Sequence, residues 1–162
     1  MTFIAFFSIL LLTVSAHTES VYEAAEGYQA PLFKLDESYA SLEGNFDLAD
    51  MQGRYVLLSF WSSADASSRI AVADYDRMAR SVDEDLMCRV SVNMDSNSAL
   101  FQEIVRHDSM RERMHFRASG DKAVGLTKLY HLDKGYRTML IDPTGRIVAV
   151  NPSSIQLTEI LN

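Results

Sequence analysis

The chain has 162 residues, 48% of them apolar, with a formal charge of −7. That is enough apolar material for one packed domain and too much for a disordered chain, and the acidic balance speaks against non-specific binding to nucleic acid or to an anionic membrane surface. A single cysteine, Cys88, excludes any intrachain disulfide, structural or catalytic.

Residues 1–16 form an apolar run ending in Val14-Ser-Ala16, which reads as a signal peptide cleaved after Ala16, with retention as a membrane anchor as the alternative. The mature chain is then expected outside the cytoplasm, periplasmic or secreted. Residues 17–26 are polar and acidic and read as a flexible lead-in to a domain spanning 27–162. Gly27 to Leu35 enters a short strand through Pro31, Asp36 to Asn45 is loop-like, and Phe46 to Gly53 is a short turn of helix stopped by glycine.

Tyr55 to Trp61 has the length and composition of a buried strand. It breaks into the small residues Ser62 to Ser68, and a helix follows from about Ala66 to Val82, with Ala71, Tyr75, Met78 and Val82 on one face. A strand, a tight loop and a helix N-terminus in that order bring free N–H groups and a helix dipole to whatever the loop carries. Leu86 to Asn93 alternates as a strand, with Cys88, Val90 and Val92 on its apolar face. Asp95 to Ser98 should cap a second helix over 99–107, and Val124 to Tyr130 a third. Ser109 to Asp121 has no readable pattern. Tyr136 to Asp142 and Ile147 to Val150 form a hairpin around Pro143-Thr-Gly-Arg146, and Ser153 to Leu161 closes the chain as a helix with Ile155, Ile160 and Leu161 available for docking.

The segment Phe60-Trp-Ser-Ser-Ala-Asp-Ala-Ser-Ser-Arg69 resembles the active-site loop of exported thioredoxin-like proteins of the TlpA/ResA type, which reads Phe-Trp-Ala-Ser-Trp-Cys-x-x-Cys-Arg. Gly27 to Leu35 and the Leu140 to Ala149 hairpin resemble the same family. The resemblance implies an α/β, thioredoxin-like fold, a mixed central sheet flanked by helices, preceded by an N-terminal β extension. It also puts Asp65 and Ser68 where the two redox cysteines belong. The family's cis-proline falls at Tyr136 or Arg137, and a buried acid found in many thioredoxins falls at Ser59. Thiol–disulfide exchange needs a thiolate at the helix start and a second thiol to resolve the mixed disulfide, and Asp65 and Ser68 supply neither.

The residues themselves give Asp65 a plain role, an N-cap standing in for an anionic thiolate, and Ser68 the role of a solvated first-turn hydroxyl. A serine nucleophile needs a histidine base, and His107, His115 and His131 show no such motif. No spacing points to a metal site or to any other cofactor. The candidate site is therefore the degenerate loop Trp61, Ser62, Ser63, Ala64, Asp65, Ala66, Ser67, Ser68 and Arg69, together with Tyr136 and Arg137. By family analogy Trp61, Asp65, Arg69, Tyr136 and Arg137 line a groove for an extended peptide or protein, giving a non-catalytic binding module. The alternative is a thiol-disulfide oxidoreductase or peroxidase-like protein working through Cys88 or a partner's thiol. Burial of Cys88 in the core separates the two.

Overall fold

A computed structural model describes residues 22–36, 45–108 and 114–162. The leader of residues 1–16 and residues 37–44 of the loop expected over Asp36 to Asn45 lie outside the described residues. Seven strands and four helices follow in the order β1 (Lys34–Leu35), β2 (Phe46–Asp47), β3 (Tyr55–Trp61), α1 (Ala66–Ala79), β4 (Met87–Asn93), α2 (Ser98–His107), β5 (His115–Arg117), α3 (Gly120–Leu129), β6 (Thr138–Ile141), β7 (Ile147–Val150) and α4 (Ser154–Leu161). A five-stranded sheet runs β5-β4-β3-β6-β7, and β1 and β2 pair separately as an antiparallel extension. β3 is parallel to β4 and antiparallel to β6, so the sheet is mixed. This is a thioredoxin-like fold.

The central strand is buried on both sides because each of its faces has a cover. Val56, Leu58 and Phe60 join Cys88, Val90, Val92 and Met139 in a core that includes Phe33 and Phe46 of the extension and Leu126 of α3. Tyr130 sits in that core with its ring centroid 5.6 Å from that of Phe33 and 4.7 Å from that of Phe60, and its hydroxyl donates to the Pro31 carbonyl. That bond ties the proline entry to the body of the domain. On the other face Leu57, Met87, Leu140 and Ala149 pack under Ala79 of α1 and Leu157 of α4.

Four sequence expectations change. The lead-in is not loose over Tyr22 to Glu26: Ala24 is buried in the core, the Glu23 amide donates to Gln29, and the Glu26 carboxylate accepts from the Val150 amide. The unreadable stretch contains β5, which extends the sheet beside β4 through Ser91↔His115 and Asn93↔Arg117. The buried stripe of α1 is Ser68, Val72, Asp76 and Ala79, while Ala71, Tyr75 and Met78 are only partly covered. In α4 Leu157 is the buried docking residue and Ile160 and Leu161 pack beside it as expected, whereas Ile155 is 69% exposed.

Candidate functional site

β3 delivers the chain to the loop, and α1 takes it away. Ser59 pairs with Thr138 in the β3–β6 register, so Arg137 lies opposite Phe60, whose amide donates to the Arg137 carbonyl at 3.0 Å. The loop of residues 62–65 and the segment Tyr136–Arg137 therefore meet at one end of the sheet. The side chains of Tyr136 and Arg137 are partly exposed, and Arg137 Nη2 donates to the His131 carbonyl at 3.3 Å. Every peptide bond among the described residues is trans, including those at Tyr136 and Arg137. Without a proline ring the cis form is too costly to hold.

Asp65 caps α1. Its Oδ1 accepts the Ser68 amide at 2.7 Å and the Ser67 hydroxyl at 2.6 Å. The Ser67 hydroxyl, then the Ser68 amide, hold its carboxyl below the usual carboxylate range. The anion at this helix start is thus already satisfied from inside the loop. Ser68 is buried rather than solvated: its hydroxyl donates to the Asp65 carbonyl at 3.1 Å and accepts the Ser62 amide at 3.2 Å. Neither bond involves a histidine, so no base activates it. His131 meets Glu23 instead, His107 meets Asp108, and His115 is buried against Arg89 and Ser91.

Trp61 does not face a groove. Its ring is 0% exposed and packs with Val72 of α1 and Phe101, Ile104 and Val105 of α2, its centroid 6.0 Å from that of Phe101. Its side chain supports the loop from below. Ala64, Ala66 and Ser67 are exposed and form the outer surface.

Two acids that sequence reasoning did not assign to the site hold it in shape. Asp95 accepts the Ser62 hydroxyl at 2.6 Å, the Ser63 amide at 2.9 Å and the Asn93 side-chain amide at 2.9 Å. Burial pushes its carboxyl up, but the hydrogen bonds from Ser62, Ser63 and Asn93 outweigh that and lower it overall. The cap of α2 is Asn97, which accepts the Leu100 amide at 3.1 Å. Asp108, at the end of α2, takes a two-pronged bond from Arg69, 2.7 Å on each oxygen. Planar guanidinium on carboxylate is the strong form of this contact, and it brings the Asp108 pKa down to about 2. A run of Asp and Asn after β4 was the available sequence signal for Asp95, and it reads equally well as a helix cap.

The position of the family's buried acid holds Ser59, whose hydroxyl accepts that of Thr138 at 2.9 Å. Cys88 is 7% exposed on the face of β4 that packs against the extension and α3. Asp65 leads a helix covering the opposite face. Burial, ahead of the nearby charges, pushes the Cys88 thiol up. Among the described residues no His, Cys, Asp and Glu side chains cluster as a metal site.

A mixed sheet, a helix-start loop after its central strand and an acid in the thiol's place define a thioredoxin-like domain stripped of its redox pair. Comparison with solved structures agrees on the fold. A thioredoxin-like protein from Parabacteroides distasonis superposes with a TM-score of 0.72 at 30% identity, over 86% of this chain and 96% of that one. The thioredoxin domain of a thiol-disulfide oxidoreductase from Bacteroides vulgatus gives 0.74 at 18% identity, over 85% and 99%. A thiol:disulfide interchange protein from a Bacteroides species gives 0.71 at 19%, over 85% and 88%. No protein-family model and no curated protein matches the sequence. The chain belongs to the thioredoxin-like family.

Proposed function

We propose that this is an exported thioredoxin-fold protein that binds an extended peptide or protein without catalysing thiol–disulfide exchange. The observation that carries the reading is the state of Asp65: a carboxylate occupies the nucleophile's place and is held by Ser67 and Ser68 as a helix cap. Burial of Cys88 on the other face of the sheet supports it, since a thiol kept protonated and covered is a poor nucleophile. The contact surface is the exposed rim of the loop, Ala64, Ala66 and Ser67, with Tyr136 and Arg137 beside it. An extended segment there would lie along the Tyr136–Arg137 backbone, with an aromatic face and a guanidinium at hand. Export rests on the apolar run of residues 1–16; among the described residues no helix is long and apolar enough to cross a membrane.

The test is capture from the exported fraction of the native host, with wild type compared against Tyr136→Ala/Arg137→Ala. A partner held by wild type and released by the double variant supports the reading. Retention of the same partner by the variant would place the contact elsewhere.

A further inference from the structure

A cleft of about 350 Å³ opens at the far end of α1 from the loop. Its floor is Leu57 and Met87 of the sheet, one wall is Met78 and Val82, and the other is Leu157 and Leu161 of α4. At 1.5 Å rise per residue the end of α1 lies roughly 20 Å from Asp65, so the cleft is no part of the loop site. Protein interiors rarely keep voids larger than a water molecule, and small-molecule sites begin at about 300 Å³ with apolar walls and a few polar groups at the mouth. A smaller cavity, near Gln29 and Gly145, holds only about 30 Å³, room for about one water.

The lining has the chemistry of a chain-binding pocket. Its apolar lining includes the flexible thioethers of Met78 on a wall and Met87 on the floor, and Leu86, which also lines it, is 40% exposed to solvent. Among the described residues the polar ones lining it are Ser81, Asp83, Ser154, Thr158 and Asn162, with no lysine, arginine or histidine. The Ser81 hydroxyl already donates to the Met78 carbonyl and the Thr158 hydroxyl to the Ser154 carbonyl. Both hydroxyls are thereby left with acceptor lone pairs, and Asp83 brings a negative charge to the same lining, one of its carboxylate oxygens accepting the Asp85 amide at 2.9 Å. Acceptors and one negative charge match a head that donates hydrogen bonds and is positive, and they repel a carboxylate.

We propose that this cleft binds a single-chain alkyl amphiphile with an ammonium head, the chain between α1 and α4 and the head at Asp83. The probes are dodecylamine and dodecanoate, each below its micelle concentration, titrated into the full chain carrying 13C-methyl methionine. Dodecylamine should shift the Met78 and Met87 methyl signals saturably and leave Met139, buried in the opposite core, in place. Thr158→Trp, a surface change that covers the mouth, should weaken binding at least ~10-fold, a difference of about 1.4 kcal/mol. Asp83→Asn should cut the preference for amine over carboxylate roughly threefold, as expected of a rim charge. If Thr158→Trp does not fold, the methyl map and Asp83→Asn decide. The proposal is overturned if the two methyl signals do not move, if dodecanoate binds as tightly as dodecylamine, or if folded Thr158→Trp binds unchanged. Shifts at Met78 and Met87 that follow protein concentration without ligand would assign the cleft to a second copy and overturn it too.

Discussion

Asp76 Oδ1 of α1 lies 2.5 Å from Arg89 Nη2 of β4, and both side chains are buried between helix and sheet. Arg80 reaches the other Asp76 oxygen at 3.0 Å, Arg89 Nη2 lies 3.3 Å from His115 Nε2, and His115 Nδ1 pairs with the Ser91 hydroxyl. A polar chain thus runs from the helix behind the loop to the edge strand β5. Desolvating such a pair cancels much of its attraction, so its presence adds little, but removing one partner strands a charge. Asp76→Leu should cost about 3–5 kcal/mol in urea unfolding, and adding Arg89→Met should recover most of that loss. If the two changes simply add, the pair is not coupled as described.

Acid should weaken the fold through two groups acting in the same direction. Asp108 has a folded pKa of about 2, below the ordinary 3.8, because Arg69 hydrogen-bonds its charged form. A lowered acid contributes stability that is fully present above the ordinary value and is lost as pH falls from 3.8 through about 2. His115 is held neutral, its pKa lowered from 6.5 to about 3, chiefly by burial and then by the Arg89 charge, against Asp76. The unfolded chain takes up that proton first, so stability drains from 6.5 downward. Melting temperature against pH should fall steadily on acidification in wild type. Asp108→Asn should melt lower at neutral pH and show a flatter acid limb below pH 3.8. A variant profile parallel to wild type would show that the Arg69–Asp108 bond is not worth a shift.

Much of this was legible in the chain. Tyr55 to Trp61 is a strand because the six buried residues in a row that follow Tyr55 have nowhere else to go, and the Leu140 to Ala149 hairpin is marked by its Pro-Thr-Gly turn. The loop is placed by the match of Phe60, Trp61, Ser63 and Arg69 to the family segment, which sets Asp65 at the helix start, and Asp65 is the N-cap there. What could not be read was polar material that satisfies itself. Asp76 looks like a solvent residue on a helix wheel until Arg89 is found beneath it, so the buried stripe of α1 lies one position on from the one its apolar residues suggest. His115 begins a strand of three residues inside a charged tract, too short for any period to register. Asp95 and Asp108 reach the loop from about 30 and 40 positions away, a relationship carried by the sheet and not by spacing.

Cys88 should behave as a core residue. With burial raising its thiol and only 7% exposed, it should resist alkylation in the folded protein and react once urea opens the sheet. Insulin reduction with dithiothreitol should match the protein-free control. Cys88→Ser puts a hydroxyl into an apolar cluster and should cost about 1–3 kcal/mol if it finds no partner. Turnover that disappears in Cys88→Ser would return the protein to the oxidoreductases.

The strongest test rebuilds what is missing. Asp65 and Ser68 stand three apart on the first turn of α1, joined by the Ser68 amide to Asp65 carboxylate bond. In Asp65→Cys/Ser68→Cys the two sulfurs should fall within bridging reach and close to one intramolecular disulfide under mild oxidation. The thiol at 65 meets the same amide and the same dipole that now favour a carboxylate, so its pKa should drop from about 8.5 toward 7 or below. The thiol at 68 inherits a buried place and should stay protonated, as a resolving thiol does. Insulin reductase activity should return only weakly. Tyr136 and Arg137 still run trans, and Ser59 is committed to Thr138 and carries no proton between the sulfurs. Mass spectrometry after oxidation and an alkylation-against-pH curve read the two properties separately. Thiols that stay unpaired, or a residue-65 thiol that alkylates as in free solution, would mean that the head of α1 does not stand where the thioredoxin nucleophile stands.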